Sequence, residues 1–188
     1  MKQFFATLIL LFCCTTPILA QTSSNSLSGK LYFGGCASFG GVSKVIGYGG
    51  EFGVTANKNG STLAYAGLEI GQIGSSGNAP SYNNFDYPAT DYTLAGSYRT
   101  NGEQLYGLHA GLVLFNHLFI GAVVTYSFSD TVQLVRSNGT GWFYKHNSGT
   151  NTYFGVGPDV RYLYDTHFMF STGWTFRRGF KAGLDYQL

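Results

Sequence analysis

Strict alternation of apolar with polar or small residues runs through two adjacent stretches between Leu105 and Phe128. In the first, Tyr106, Leu108, Ala110, Leu112 and Leu114 share one side, and Gly107, His109 and Gly111 the other. In the second, Leu118, Ile120, Ala122, Val124, Tyr126 and Phe128 alternate with Gly121, Val123, Thr125 and Ser127. A period of two belongs to strands. Only Asn116 and His117 separate the runs, so the strands must pair antiparallel as a hairpin with one apolar face. Each arm has about 9 to 12 residues, the length a tilted strand needs to cross the hydrocarbon of a bilayer.

The same pattern recurs at residues 30–39, 45–56, 62–72, 153–163, 167–176 and 180–188. With the hairpin this predicts eight strands. Residues 21–29 read as a flexible lead-in, and residues 73–103 and 129–152 as long loops rich in turn-forming residues. Within the first loop, residues 91–99 have strand character; within the second, TVQLV and WFYKH flank SNGTG as a hairpin extension beyond the membrane. Loop lengths alternate short and long only if 91–99 is an extension and not a crossing, with both termini on the short-turn side. Ten strands is the alternative count.

Charged residues make up 11 % of the chain, against about 25 % in an ordinary soluble domain. No segment after residue 20 is long and apolar enough for a membrane helix. An apolar surface built from strands requires a closed barrel, because an open sheet would leave backbone groups unpaired in hydrocarbon. Residues 1–20, with Lys2, the run FFATLILLFCC and the ending TTPILA, have the pattern of a secretory signal peptide. Its removal takes Cys13 and Cys14 and leaves Cys36 unable to form an intrachain disulfide. The remainder, 30–188, is one domain. A near-neutral charge without basic runs gives no case for nucleic acid.

The signal peptide, the hairpin LVLFNHLFIGAVVTYSF, the segment GVGPDVRYLY and the terminal FKAGLDYQL together resemble the small outer-membrane β-barrels of the OmpA/OmpX kind from Gram-negative bacteria. The resemblance implies an all-β, eight-stranded, antiparallel closed transmembrane barrel in the bacterial outer membrane, without a periplasmic domain. It also implies partners: outer-membrane lipid and lipopolysaccharide, and the barrel-insertion machinery, which recognises a terminal strand with an aromatic two before a final apolar residue. Tyr186 and Leu188 match that pattern, with Leu where Phe is commonest.

Most strand glycines fall on the face opposite the apolar one. A soluble barrel of inverse polarity would then show water a surface of glycine, so the glycine face is the inner one. It also carries Glu51, Glu69, His109, Asp159, Arg161, Lys181 and Asp185, charges of both signs that should pair in a narrow lumen. A structural ion-pair network is the favoured reading, and a narrow porin-like channel the alternative.

A lipid A-modifying enzyme is the less favoured alternative, since His146 with Ser129 and Asp130 is the one histidine, serine and carboxylate grouping in an outer loop. The four histidines are dispersed and no Cys pair or HExxH occurs, so neither metal nor cofactor is expected. GYGGEFG reads as a strand face, because no Lys-Ser/Thr follows at phosphate-loop spacing. Function then falls to the outer loops, with Tyr82, Phe85, Tyr87, Tyr92 and Tyr98 in one and Trp142, Phe143, Tyr144, Lys145 and His146 in the other. Trp142, Phe143 and Tyr144 suit either contact with an extracellular ligand or a membrane-interface girdle. The expected protein is a structural or adhesive surface protein and not an enzyme.

Overall fold

The computed structural model describes residues 27–41, 44–74, 77–84, 91–115 and 117–188. The expected signal peptide, most of the lead-in, and Phe85, Tyr87 and Asn116 lie outside the described residues. Among the described residues nine strands follow in order: β1 Leu27–Phe39, β2 Gly47–Lys58, β3 Ser61–Ile73, β4 Tyr92–Arg99, β5 Glu103–Phe115, β6 Leu118–Ser137, β7 Phe143–Tyr164, β8 Phe168–Thr175 and β9 Gly179–Gln187. Eight of them close into an antiparallel ring, β1-β2-β3-β5-β6-β7-β8-β9, with β9 hydrogen-bonded back to β1. β4 lies outside the ring and pairs only with the far end of β6. The barrel therefore has eight strands, not ten, and residues 91–99 form the extension that loop parity requires.

Local chemistry sets the reversals. Between β2 and β3, Asn59 and Gly60 have φ of 52° and 80°, the left-handed pair that a two-residue hairpin needs to match strand twist. This turn, the β5–β6 and β7–β8 turns and the chain ends of the ring share one rim, here the terminal end. The opposite, outer end carries the 73–103 excursion and the β6–β7 hairpin.

Several boundaries differ from the sequence reading, among them these. β1 begins at Leu27, inside the expected lead-in, because residues 27–29 pair with 56–58 of β2. β2 begins at Gly47, two residues later than expected. Residues 129–152 are mostly strand and not loop: β6 and β7 stay in register from Leu118–Tyr162 to Arg136–Phe143, broken by one bulge after Gln133.

The registers also show how the barrel is built. Phe168, Tyr186, Phe33, Phe52, Leu68, Leu108, Val124 and Val156 form one continuous row, one residue from each ring strand, all apolar or aromatic. The row leaves β7 at Val156 and returns to it, through Phe168, at Tyr164, eight residues on. Eight strands with a shear of eight tilt by about 36°. The outward positions, among them Leu31, Phe52, Ile70, Leu112, Ile120, Phe154 and Phe170, are exposed on the outside of the ring. Such a belt is tolerable only against hydrocarbon. Inside, the lumen is filled by side chains, and glycine makes the room: a methyl at Gly67 would collide with Tyr32 Oη and His109 Nε2, and one at Gly121 with Tyr65 Oη.

Replacing Leu108, on that continuous row, with Arg is expected to destabilise the barrel by about 2–4 kcal/mol in urea unfolding from phosphocholine vesicles. A change within about 0.5 kcal/mol, the range of an ordinary water-facing site, would show that this face does not meet lipid.

Candidate functional site

Alternation along β2, β3, β7 and β9 turns Glu51, Glu69, Asp159, Arg161, Lys181 and Asp185 into the lumen, where all are buried. Glu69, Glu51, Gly34 and Asp185 are successive members of one hydrogen-bonded row across β3, β2, β1 and β9. Like charges directly opposite each other destabilise a sheet. Cations reaching into the row resolve the conflict. Arg161, from β7 on the opposite side of the ring, donates Nη2 to Glu51 at 2.8 Å, Nη1 to Asp185 at 2.7 Å and Nε to Asp159 at 2.8 Å. Lys181 donates to Glu51 and has its Nζ 3.2 Å from Asp159 Oδ1 and 3.7 Å from Glu69 Oε2, ion pairs without hydrogen-bond geometry. Arg178 donates to Glu69.

Two tyrosines hold the Arg161 guanidinium, whose carbon lies 5.3 Å from the ring centre of Tyr32 and 4.8 Å from that of Tyr65. Tyr65 donates to Asp159 Oδ2 at 2.8 Å, and Tyr32 shares a 2.6 Å hydrogen bond with His109 Nε2. These rings also belong to an apolar plug with Phe119, Leu163 and Met169 that fills the lumen toward the terminal end. Toward the outer end, Glu103 accepts from Arg177 at 2.6 and 3.1 Å and from Ser127 at 2.5 Å. Arg177 lies in the rim turn, where its hydrogen bond to Glu103 holds its pKa above the ordinary arginine value.

Five carboxylates thus face four cations in the lumen and its outer mouth. Arg178 and Glu103 escape a reading by alternation: one sits in the β8–β9 turn and the other at the first residue of β5, in the expected loop. Both were nonetheless unusual, as charges flanking short turn signals in a chain with few charges.

Cys36, Glu51 and Glu69 bring ligand atoms within 4.8 Å of one another, a grouping invisible in a sequence that spaces them over three strands. The Lys181 ammonium already answers both carboxylates there, and Cys36 Sγ donates to Glu69 at 3.5 Å. The cavity beside Cys36, Ser38, Glu69 and Arg178 measures about 10 Å³, room for one water.

Beyond the barrel, β6 and β7 continue as a ribbon that other segments widen into a platform. β4 pairs along residues 131–137 of β6. Asn83 bridges the other edge, its N donating to Phe143 O at 2.9 Å and its O accepting from Lys145 N at 3.1 Å. The base is tied to the barrel by Thr100 N donating to Asp130 O at 3.0 Å, and the tip by Asn138 Nδ2 donating to Asp91 Oδ1 at 2.8 Å. Trp142, Phe143 and Tyr144 lie at this tip, nine or so residues beyond Phe128, the last of the outward aromatics on β6. At about 3.3 Å per residue on a tilted strand, that is about 25 Å above the apolar belt. On that spacing the three residues stand well beyond the outward aromatics of the ring strands. Aromatic pairs such as Tyr106 with Phe128 at 6.1 Å and Trp174 with Phe176 at 6.4 Å lie on or beside the ring strands themselves.

The other residues singled out in the sequence fall as follows. Tyr186 faces outward on β9 between Phe33 and Phe168, with ring centres 6.1 and 5.4 Å away. Leu188 N donates to Leu31 O at 2.8 Å, so the chain end is tied to the first strand. Ser129 is buried, whereas His146 is exposed at the bulge opposite Gln133 and Leu134, about 13 Å farther along the ribbon. Ser129, Asp130 and His146 therefore do not assemble as a relay. His167 stacks on Tyr186 at 5.6 Å.

Eight strands, a shear of eight, an apolar exterior and a polar, filled interior define a small outer-membrane-type β-barrel. No protein-family model and no curated protein matches the chain. Among solved structures it is similar to Ail, the attachment invasion locus protein of Yersinia pestis, with a TM-score of 0.44, 9 % identity and coverage of 85 % of this chain and 97 % of that one. A second structure of Ail, in complex with the heparin analogue sucrose octasulfate, gives a TM-score of 0.49 and 11 % identity over 87 % and 99 % of the two chains.

Removing Arg161 leaves Glu51, Asp159 and Asp185 facing one another without their shared partner. Arg161→Ala is expected to cost about 3–5 kcal/mol in chemical unfolding of the refolded barrel, whereas Lys145→Ala on the platform should stay within about 0.5 kcal/mol. Equal effects would mean that the network does not hold the barrel.

Proposed function

We propose that the chain is a bacterial outer-membrane protein that neither catalyses a reaction nor conducts ions, and whose barrel serves as a rigid mount for a surface-binding platform. Outer-membrane lipid and lipopolysaccharide surround it, the terminal end faces the periplasm, and the outer end faces the medium. The observation that carries this reading is the continuity of β6 and β7, which run from the apolar belt to the platform tip with one bulge and no intervening loop. Force or contact at the tip is transmitted to a barrel whose lumen is filled.

A channel is disfavoured by the same filling, since an ion pathway needs either a hydrated opening or a weakly held plug. Catalysis is disfavoured by the separation of His146 from Ser129. Assembly through the barrel-insertion machinery is expected to use the outward aromatic and apolar residues of the last strand.

Replacing residues 132–148 by a short turn is expected to leave a heat-modifiable barrel in the outer membrane and to abolish binding of expressing cells to the host-cell or matrix surface they recognise. Binding that survives the shortening would overturn the platform reading. Planar bilayers containing the refolded wild-type protein should stay silent; reproducible conductance altered by Arg161→Ala would make it a channel. Charged substitutions at Tyr186 and Leu188 are expected to reduce the amount of folded barrel in the outer membrane several-fold, and undiminished amounts for both would remove these residues from the insertion signal.

A further inference from the structure

A cleft of about 400 Å³ opens at the base of the platform, within the size range of about 300–1,000 Å³ typical of small-ligand sites. Tyr82, Thr100, Asp130, Thr131, Lys145 and Thr150 are among its walls. Three of the hydroxyls have already directed their hydrogens into the protein. Thr150 Oγ1 donates to Asp130 Oδ1 at 2.8 Å, Thr100 Oγ1 to the Asp130 carbonyl at 3.2 Å, and Thr131 Oγ1 to the Gly149 carbonyl at 3.1 Å. A hydroxyl that has given its hydrogen remains an acceptor. With Asp130 Oδ2, the cleft thus holds several acceptors fixed by strand hydrogen bonds and not by mobile loops. Lys145 and the Tyr82 phenol supply donors.

The charge balance narrows the ligand. One carboxylate and one ammonium leave no net field to collect an ion. A sulfate or carboxylate, which only accepts at neutral pH, would face the Asp130 carboxylate and the spent hydroxyls, and a phosphate would bring its negative charge to the same carboxylate; a simple cation would face Lys145. Lys145 pairs with Leu134, four residues along β6 from Asp130, so a ligand with several groups that each donate and accept, spread over its length, satisfies both sides: a hydroxyl at one end gives its hydrogen to Asp130 and one toward the other end accepts from Lys145. Tyr82 adds an aromatic wall for the apolar face of a ring. We propose that this cleft binds a neutral, polyhydroxylated ligand, a saccharide unit, and so names the ligand class for the binding role assigned above to the outer end, on which it rests.

Such a unit could come from another cell's glycans or from the bacterium's own surface polysaccharide. The test uses the full chain, refolded in detergent and labelled. It is applied to a printed array of defined neutral, sialylated and sulfated glycans, and separately titrated with a neutral oligosaccharide fragment of the producing cell's own surface polysaccharide. Binding of neutral glycans on the array, or of the oligosaccharide in the titration, is expected and tells the two sources apart. Asp130→Asn keeps the acceptor used by Thr150 but turns the free one into a donor; it should weaken binding about tenfold or more while leaving heat-modifiable migration unchanged. Tyr82→Ala should weaken it as well. Silence in both arms, a signal confined to sulfated or sialylated glycans, or neutral binding unaffected by both substitutions would overturn the proposal. If saccharide binding fails while shortening of the hairpin still abolishes cell binding, the saccharide assignment falls and the platform reading stands; if cell binding ignores the hairpin, the platform reading falls.

Discussion

Backbone amides and carbonyls in hydrocarbon must all find partners within the chain, and here they do so only because β1 meets β9. That closure constrains the rest. A sheet closed with eight strands and a shear of eight encloses a lumen about one layer of side chains wide, so whatever faces inward must pack against what faces inward from the far wall. With the apolar face turned to lipid, most inward residues are polar, and a polar interior this narrow must satisfy itself. Arg161 illustrates the consequence: its three nitrogens each meet a different carboxylate, from β2, β7 and β9, while its faces meet two tyrosines. The network is therefore a product of closure as much as a cause of stability. Replacing an entire buried ion cluster by apolar groups can be neutral, but deleting one member is not.

The glycines have the same origin. Tyr32 and Tyr65 fit across the lumen only because Gly67, Gly111 and Gly121 present no side chain where the rings lie. An interior of uniformly mid-sized residues would not seat an arginine that spans it. Alternating very large with very small residues fills the volume while letting the charged ends meet.

Much of this was legible along the chain, because a barrel in lipid separates its faces more sharply than a soluble sheet does. The outward rows and the inward charges follow from period-two alternation, and the outer position of residues 91–99 follows from loop parity alone. What could not be read is where alternation carries no information. Residues 143–152, FYKHNSGTNT, are mostly polar on both sides, so β7 there is defined by its pairing with β6 and not by burial; the bulge at His146, opposite Gln133 and Leu134, shifts the phase of β7 as well. Arg178 and Glu103 are inward because of where a turn ends and a strand begins, at boundaries that patterning places only to within a few residues. The Cys36, Glu51 and Glu69 grouping and the cleft around Asp130 depend on contacts between strands far apart in sequence.

A two-stranded ribbon standing about 25 Å above a membrane would be marginal by itself. Here the 73–103 excursion contributes on both sides of it: β4 pairs along one edge, and Asn83 bridges the other, with Thr100 tying the returning chain to Asp130 at the base. The excursion is thus organised around the ribbon and not around the mouth of the barrel. At the outer mouth of the lumen Arg177 and Glu103 make a two-pronged ion pair. Ordering the described residues of the excursion costs conformational entropy whichever way they fold. Hydrogen bonds directed to a projecting sheet make sense when the sheet must hold its shape under contact, and that places the demand for rigidity at the outer surface, far from the lipid that the barrel itself satisfies.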